Sequence, residues 1–150
     1  MASKSRLTER LAVIGTVDPD ANTAATYNTD EINMKNFTRV IFIVMAGALG
    51  TSATVDFSVS GGASSNAGSH ATAVTGKAIT QLTEAGGDSD KQAIVEVTAE
   101  ECAAQGLQYI EGALVVATAT SDCAVIVLGE PAHYSNAPDV DLASVAEIVA

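Results

Sequence analysis

Residues Arg39–Leu49, RVIFIVMAGAL, are followed after a short break by Ala53–Ser60, ATVDFSVS. The first stretch is almost continuously apolar and rich in β-branched residues. Such a run is costly in a helix, and Gly47 and Gly50 punctuate its end. It therefore predicts a central strand buried on both faces. The second stretch alternates. Ala53, Val55, Phe57 and Val59 fall on one face, and Thr54, Asp56, Ser58 and Ser60 on the other, the pattern of a half-buried antiparallel strand.

Working outward, Leu11–Val17 predicts a short first strand, and Asp18-Pro19-Asp20 a turn. Ala24–Met34 alternates loosely, as an edge strand does. Gly61–His70, GGASSNAGSH, is a polar loop expected to be exposed and mobile. Ala78–Thr83 is a weak strand anchored by Ile79 and Leu82. Ile94–Thr98 is a clean strand, and Thr98 with Glu101 forms a capping-box pattern for a short helical turn that Gly106 ends. Leu107–Ala119 and Cys123–Leu128 supply the last strands, with a turn at Asp122. Near the end, Leu142, Val145, Ile148 and Val149 recur at helical spacing after Pro138 and Asp139. One helix of that length persists only if it docks.

These elements predict an all-β chain: an antiparallel β-sandwich of jelly-roll type, with an N-terminal arm over 1–17, a sandwich domain over 18–135 and a helical or extended tail over 136–150. The size suits one domain, at 150 residues. The core is built from Ala and Val more than from aromatics: the chain holds 27 Ala but only three Phe, three Tyr and no Trp.

Charge narrows the function. Seven basic residues face 18 acidic ones, a net charge of -11. That argues against a partner recognised by its phosphates, whether nucleic acid or an anionic membrane. The longest apolar run is ten residues, Val40–Leu49, too short to span a bilayer as a helix. The first residues, MASKSRLTERLAVIG, lack a sustained apolar core for a secretory signal, so synthesis in the cytoplasm is expected. The charge is also polarised. Lys4, Arg6 and Arg10 oppose only Glu9 at the start, and no Lys or Arg follows Lys91. An arm that lies on an acidic neighbour is one reading of this pattern, and a frayed terminus the other.

No phosphate-cradling glycine motif and no nucleophile elbow is present. Cys102 and Cys123 fit no zinc spacing and read as reduced small hydrophobes, with a disulfide between neighbouring strands as the alternative. Glu84–Asp90, EAGGDSD, lacks the calcium-loop pattern. His70 and His133 stand apart from any local nucleophile. Glu111 and Asp122 could act as a carboxylate pair only if folding joined them, and solvent-facing charges are the plainer reading. No cofactor, metal or catalytic residue is expected.

Three stretches carry a resemblance: FTRVIFIVMAG (Phe37–Gly47) with ATVDFSVSGG, then AITQLTEAGGDSDKQAIVEVTAEECAAQGLQYIEGALVV, then CAVIVLGEPAHYS (Cys123–Ser135). Together they resemble small virion structural proteins of tailed bacteriophages, of the capsid decoration, cement or head-fibre type. Glu111 stands where that pattern usually has a base, and Ala132-His133 replaces its common basic residue after Pro131. The resemblance implies a non-enzymatic protein on the outer capsid surface of a virion. It would bind the major capsid protein as a homo-oligomer, a trimer in preference to a dimer because small cement proteins sit at local three-fold points. Contacts with the capsid or between subunits are expected at Lys4, Arg6, Arg10 and Leu11 of the arm and at Leu142, Val145 and Ile148 of the tail. The alternatives are a tail- or fibre-associated host-recognition module and, third, an acidic β-sandwich hydrolase.

Overall fold

The computed structural model describes residues 6–132 and 137–149. Ten strands form two antiparallel sheets. In chain order they are β1 (Ala12–Asn22), β2 (Ala25–Asn28), β3 (Ile32–Asn33), β4 (Phe37–Ala46), β5 (Thr54–Gly62), β6 (Thr72–Ala78), β7 (Leu82–Thr83), β8 (Gln92–Thr98), β9 (Tyr109–Ala117) and β10 (Ser121–Pro131). One short helix, α1 (Ala99–Ala104), joins β8 to β9. The first sheet runs β1-β10-β4-β8. The second runs β2-β9-β5-β6, with β3 beside β9 and β7 beside β5. With the two dipeptide strands β3 and β7 set aside, the order is 1-8-3-6 over 2-7-4-5, the doubled Greek key of a jelly roll. The fold expected from the sequence is the fold found.

The two sheets meet through alternate residues of their strands. Val40, Phe42 and Val44 of β4 face Val55, Phe57 and Val59 of β5, all six at most 1% exposed. The Phe42 and Phe57 rings lie 5.5 Å apart, tilted by 48°, at the centre of this layer. Gly112 of β9 sits directly against both rings. So few aromatics suffice because Val and Ala fill the rest of the layer.

Several expectations need correction. Strand β4 is buried on one face only: Arg39 and Met45 are exposed, and Ile41 and Ile43 half-buried, on its outer side. Asp18-Pro19-Asp20 makes no turn; it lies within β1, where the register against β10 shifts between Val17 and Asp20. Pro19 is tolerated because β1 is an edge strand and the segment is bulged. Ala12 onward is sheet, so within the described residues the arm expected over 1–17 ends at Leu11. The tail forms a 3₁₀ turn at Ala137–Asp139 and no further regular helix among the described residues. The turn expected at Asp122 falls earlier, where Thr118 has a φ of 73° and β10 already begins at Ser121.

Thr98 caps α1 as its pattern predicts. The Glu101 N–H donates to Thr98 Oγ1 at 3.2 Å, and the Thr98 N–H donates to the Glu101 carboxylate at 2.9 Å. Gly106, with a φ of 70°, turns the chain out of the helix.

Candidate binding surface at the chain termini

The first and last described segments, 6–11 and 137–149, converge on the outer edge of β1. Leu7–Glu9 forms a 3₁₀ turn in which the Arg6 N–H donates to the Glu9 carboxylate at 2.9 Å. From the other end, Asp141 accepts from the Val13 N–H at 2.6 Å, and the Leu142 N–H donates to the Val13 carbonyl at 2.9 Å. These two bonds satisfy edge groups of β1 that would otherwise offer a template for strand pairing. A groove of about 270 Å³ opens beside them, lined by Leu11, Val13, Val145, Ile148 and Val149 among others.

Of the residues expected to make contacts, Leu11, Val145 and Ile148 therefore meet in one groove, and Leu142 joins the edge of β1 beside it through its backbone N–H. Arg10 flanks them and pairs with Glu130 at 3.6 Å. Arg6 lies exposed at the start of the turn. Lys4 lies outside the described residues, as do His133 and Tyr134. The surface is apolar, with Leu7 67% exposed and Val149 84%, and the charged residues lining its groove are Asp141 and Glu147. Leu7 did not stand out in the sequence, because an isolated apolar residue near a terminus has no periodic context, whereas Val149 shares the spacing of Leu142, Val145 and Ile148 without being expected as a contact.

A second site was read differently from sequence. Glu111 is buried on the outer face of the second sheet, beneath the Gly61–His70 loop. Its carboxylate accepts from the Gly68 N–H at 2.7 Å and from the His70 N–H at 3.4 Å. Beside it Glu31 receives the Ser65 hydroxyl at 2.6 Å, the Asn66 N–H at 2.8 Å and His70 Nε2 at 3.1 Å. Burial works to raise the Glu31 pKa, but these three hydrogen bonds and the charge of His70 outweigh it and hold the carboxyl below its usual range. The loop is thus tied down at both carboxylates. Neither Glu111 nor His70 faces solvent, and Asp122 lies on the other sheet, so the Glu111–Asp122 pair does not form.

Ser65, Glu31 and His70 contain the residue types of a hydrolytic triad in the wrong order. The carboxylate sits between hydroxyl and imidazole, so His70 bonds Glu31 and not the serine oxygen. In the Glu84–Asp90 loop the acids have separate partners: Glu84 accepts from the Ser52 N–H, and Asp88 from the Thr83 N–H and Lys91. Among the described residues no group of three metal-ligating side chains occurs.

Both cysteines are free and buried, Cys102 in α1 and Cys123 in β10. Burial, aided by the charge of Glu101, pushes the Cys102 thiol up to about 11. A thiol-specific disulfide reagent at pH 8 should leave the native protein unlabelled and titrate two thiols once denaturant is added. Rapid labelling of the folded chain would contradict this placement.

No protein-family description matches the chain, and no curated protein sequence does. Among solved structures, the K3 cleaved adhesin domain of Lys-gingipain from Porphyromonas gingivalis aligns with a TM-score of 0.40 at 16% identity, over 69% of this chain and 62% of that one. The K1 cleaved adhesin domain of the same protein gives 0.33 at 18% identity, over 71% and 60%. The chain thus spans about three fifths of the gingipain adhesin domains it matches. The coat protein of Tobacco streak virus gives 0.37 at 12% identity, over 87% of this chain and 93% of that one. At such identities and scores none of the three assigns a function.

Proposed function

We propose that the chain is a virion structural protein of the capsid-decoration type, which binds the outer surface of a phage head and does no chemistry of its own. One observation carries this reading: both terminal segments converge on the edge of β1 and leave exposed apolar side chains, Leu7, Ile148 and Val149, beside the basic Arg6 and Arg10. A patch assembled from the two terminal segments, apolar at its centre with Arg6 and Arg10 at one side and Asp141 and Glu147 in its groove, suits docking on another protein. In this reading the partner is the major capsid protein. Each contact is weak, and occupancy comes from many contacts on one lattice. The phage resemblance of Phe37–Ser135 supports the same reading.

The test uses the exposed residues, whose replacement leaves the core intact. The Ile148→Asp and Val149→Asp pair, with the Arg6→Glu change as a second variant, should lower the copy number on purified heads by about tenfold, a loss of about 1.4 kcal/mol per site. Unchanged occupancy would sink the role of the terminal patch.

A host-recognition module is the second reading, and a different observation favours it. An open groove of about 740 Å³ runs beside β1 and β2, lined by Asp18, Asp20, Tyr27, Asn28, Asp30 and Glu31 among others. Its hydroxyl, amide and carboxylate groups with one aromatic ring suit a polyhydroxylated ligand such as a glycan. Location at the tail in low copy would favour this reading over the first.

A further inference from the structure

The outer face of the first sheet is unusually apolar for a surface that no element among the described residues covers. Cross-strand register places Leu128 beside Ile41, Ile126 beside Ile43 and Ala124 beside Met45. On the next strand Ile94 stands opposite Ile43. Ile94 is 68% exposed and Met45 38%, and Ile41, Ile43, Ile126 and Leu128 are half-buried. Antiparallel sheets that face water normally alternate apolar-in with polar-out. Here three adjacent strands carry aliphatic residues outward, a contiguous patch of the kind that marks an interaction site.

Charge selects the occupant. The chain is acidic overall, but one end of this face is balanced. Arg39 pairs with Glu130 at 3.1 Å and with Glu96 at 3.9 Å, and Arg10 joins Glu130 at 3.6 Å. The opposite end of the same strands carries exposed Asp20 and Asp122. We propose that this face is a self-association surface, on which a second copy packs sheet against sheet about a two-fold axis lying across the strands. That axis makes the strands of the two copies antiparallel, so the charge-balanced end of each, Arg10 and Arg39 with Glu96 and Glu130, approaches Asp20 and Asp122 of the other, while the isoleucines meet at the centre. The two-fold arrangement with parallel strands would set acid against acid. The four strands over the seven residues from Arg39 to Met45 project to about 450 Å² per copy. For the pair that is about 900 Å², below the range of stable specific interfaces and within that of transient ones, so the pair is weak, reversible and dependent on concentration. A two-fold face closes at two copies, in place of the trimer that the phage resemblance implies. Arg10 borders both this face and the terminal patch, whereas Ile94 and Met45 belong to the sheet face alone.

Sedimentation equilibrium of the full chain over a concentration series tests it. The account expects a monomer–dimer equilibrium whose dissociation constant rises at least tenfold in Ile94→Glu, a change at an exposed position that leaves the fold intact by circular dichroism. Arg39→Glu should weaken the dimer as well, and adding Asp122→Arg should restore it. A strictly monomeric or a trimeric wild type would overturn the proposal, as would a dimer indifferent to Ile94→Glu.

Discussion

Replacing Gly112 by alanine should destabilise the protein by about 3 kcal/mol, because the added methyl group enters the centre of the core. A Cβ at this position comes within 2.7 Å of Phe57 Cε2 and 3.1 Å of Phe42 Cδ1. Those two rings are the centre of the core and are essentially unexposed, so neither can swing away. The backbone cannot retreat either, because the Gly112 N–H donates to Thr29 Oγ1 at 2.9 Å and β5 pairs alongside. In a domain of this size the loss corresponds to a fall of about 10 °C in melting temperature. Gly76→Ala is the comparison. It has a φ of 73° but nothing within 4 Å of the added carbon. Only backbone strain opposes it, costing about 1 kcal/mol. Thermal unfolding of the two variants separates crowding from strain, and equal effects would contradict the core geometry.

Glu111→Ala should cost about 1–2 kcal/mol, because it strips the acceptor from the part-buried Gly68 and His70 N–H groups that tie the loop to the sheet. Glu111→Gln keeps one carbonyl oxygen and should cost about half as much. If the burial of charge were instead the dominant effect, glutamine would raise stability, and the account of this site would be wrong. Limited proteolysis gives a local readout: the Ala variant should be cut within Gly61–His70 while the wild type resists. The clamp also depends on pH. The Glu31 pKa is depressed in the folded state, so its contribution is complete above the ordinary carboxylate pKa of about 4.3 and is lost as pH falls through the lower folded value. Loop protection should therefore persist at pH 5 and fail in stronger acid.

Most of the fold was legible because its strands obey period-two alternation. Ala53–Ser60, Ile94–Thr98 and the capping box at Thr98 were read nearly residue by residue. The errors are physical ones. Asp-Pro-Asp suits a turn and equally suits a bulged edge strand, and only the pairing of β1 with β10 decides between them. The outward isoleucines of β4 imitate a strand buried on both faces, since periodicity reports hydrophobicity and not what covers it. Loops hid more. Glu111 has the pattern of an outward strand residue, and its burial comes from a loop more than forty residues earlier in the chain. The terminal patch was legible in part, as Leu11, Val145 and Ile148, but their meeting depends on Asp141 and Leu142 binding the edge of β1.

Imaging purified phage particles by electron cryomicroscopy tests the central claim most directly. The account predicts density for this jelly roll at high copy across the outer head surface, with the β1 edge and both terminal segments against the capsid. A few copies confined to the tail, or a shell docked through another face of the sandwich, would contradict it.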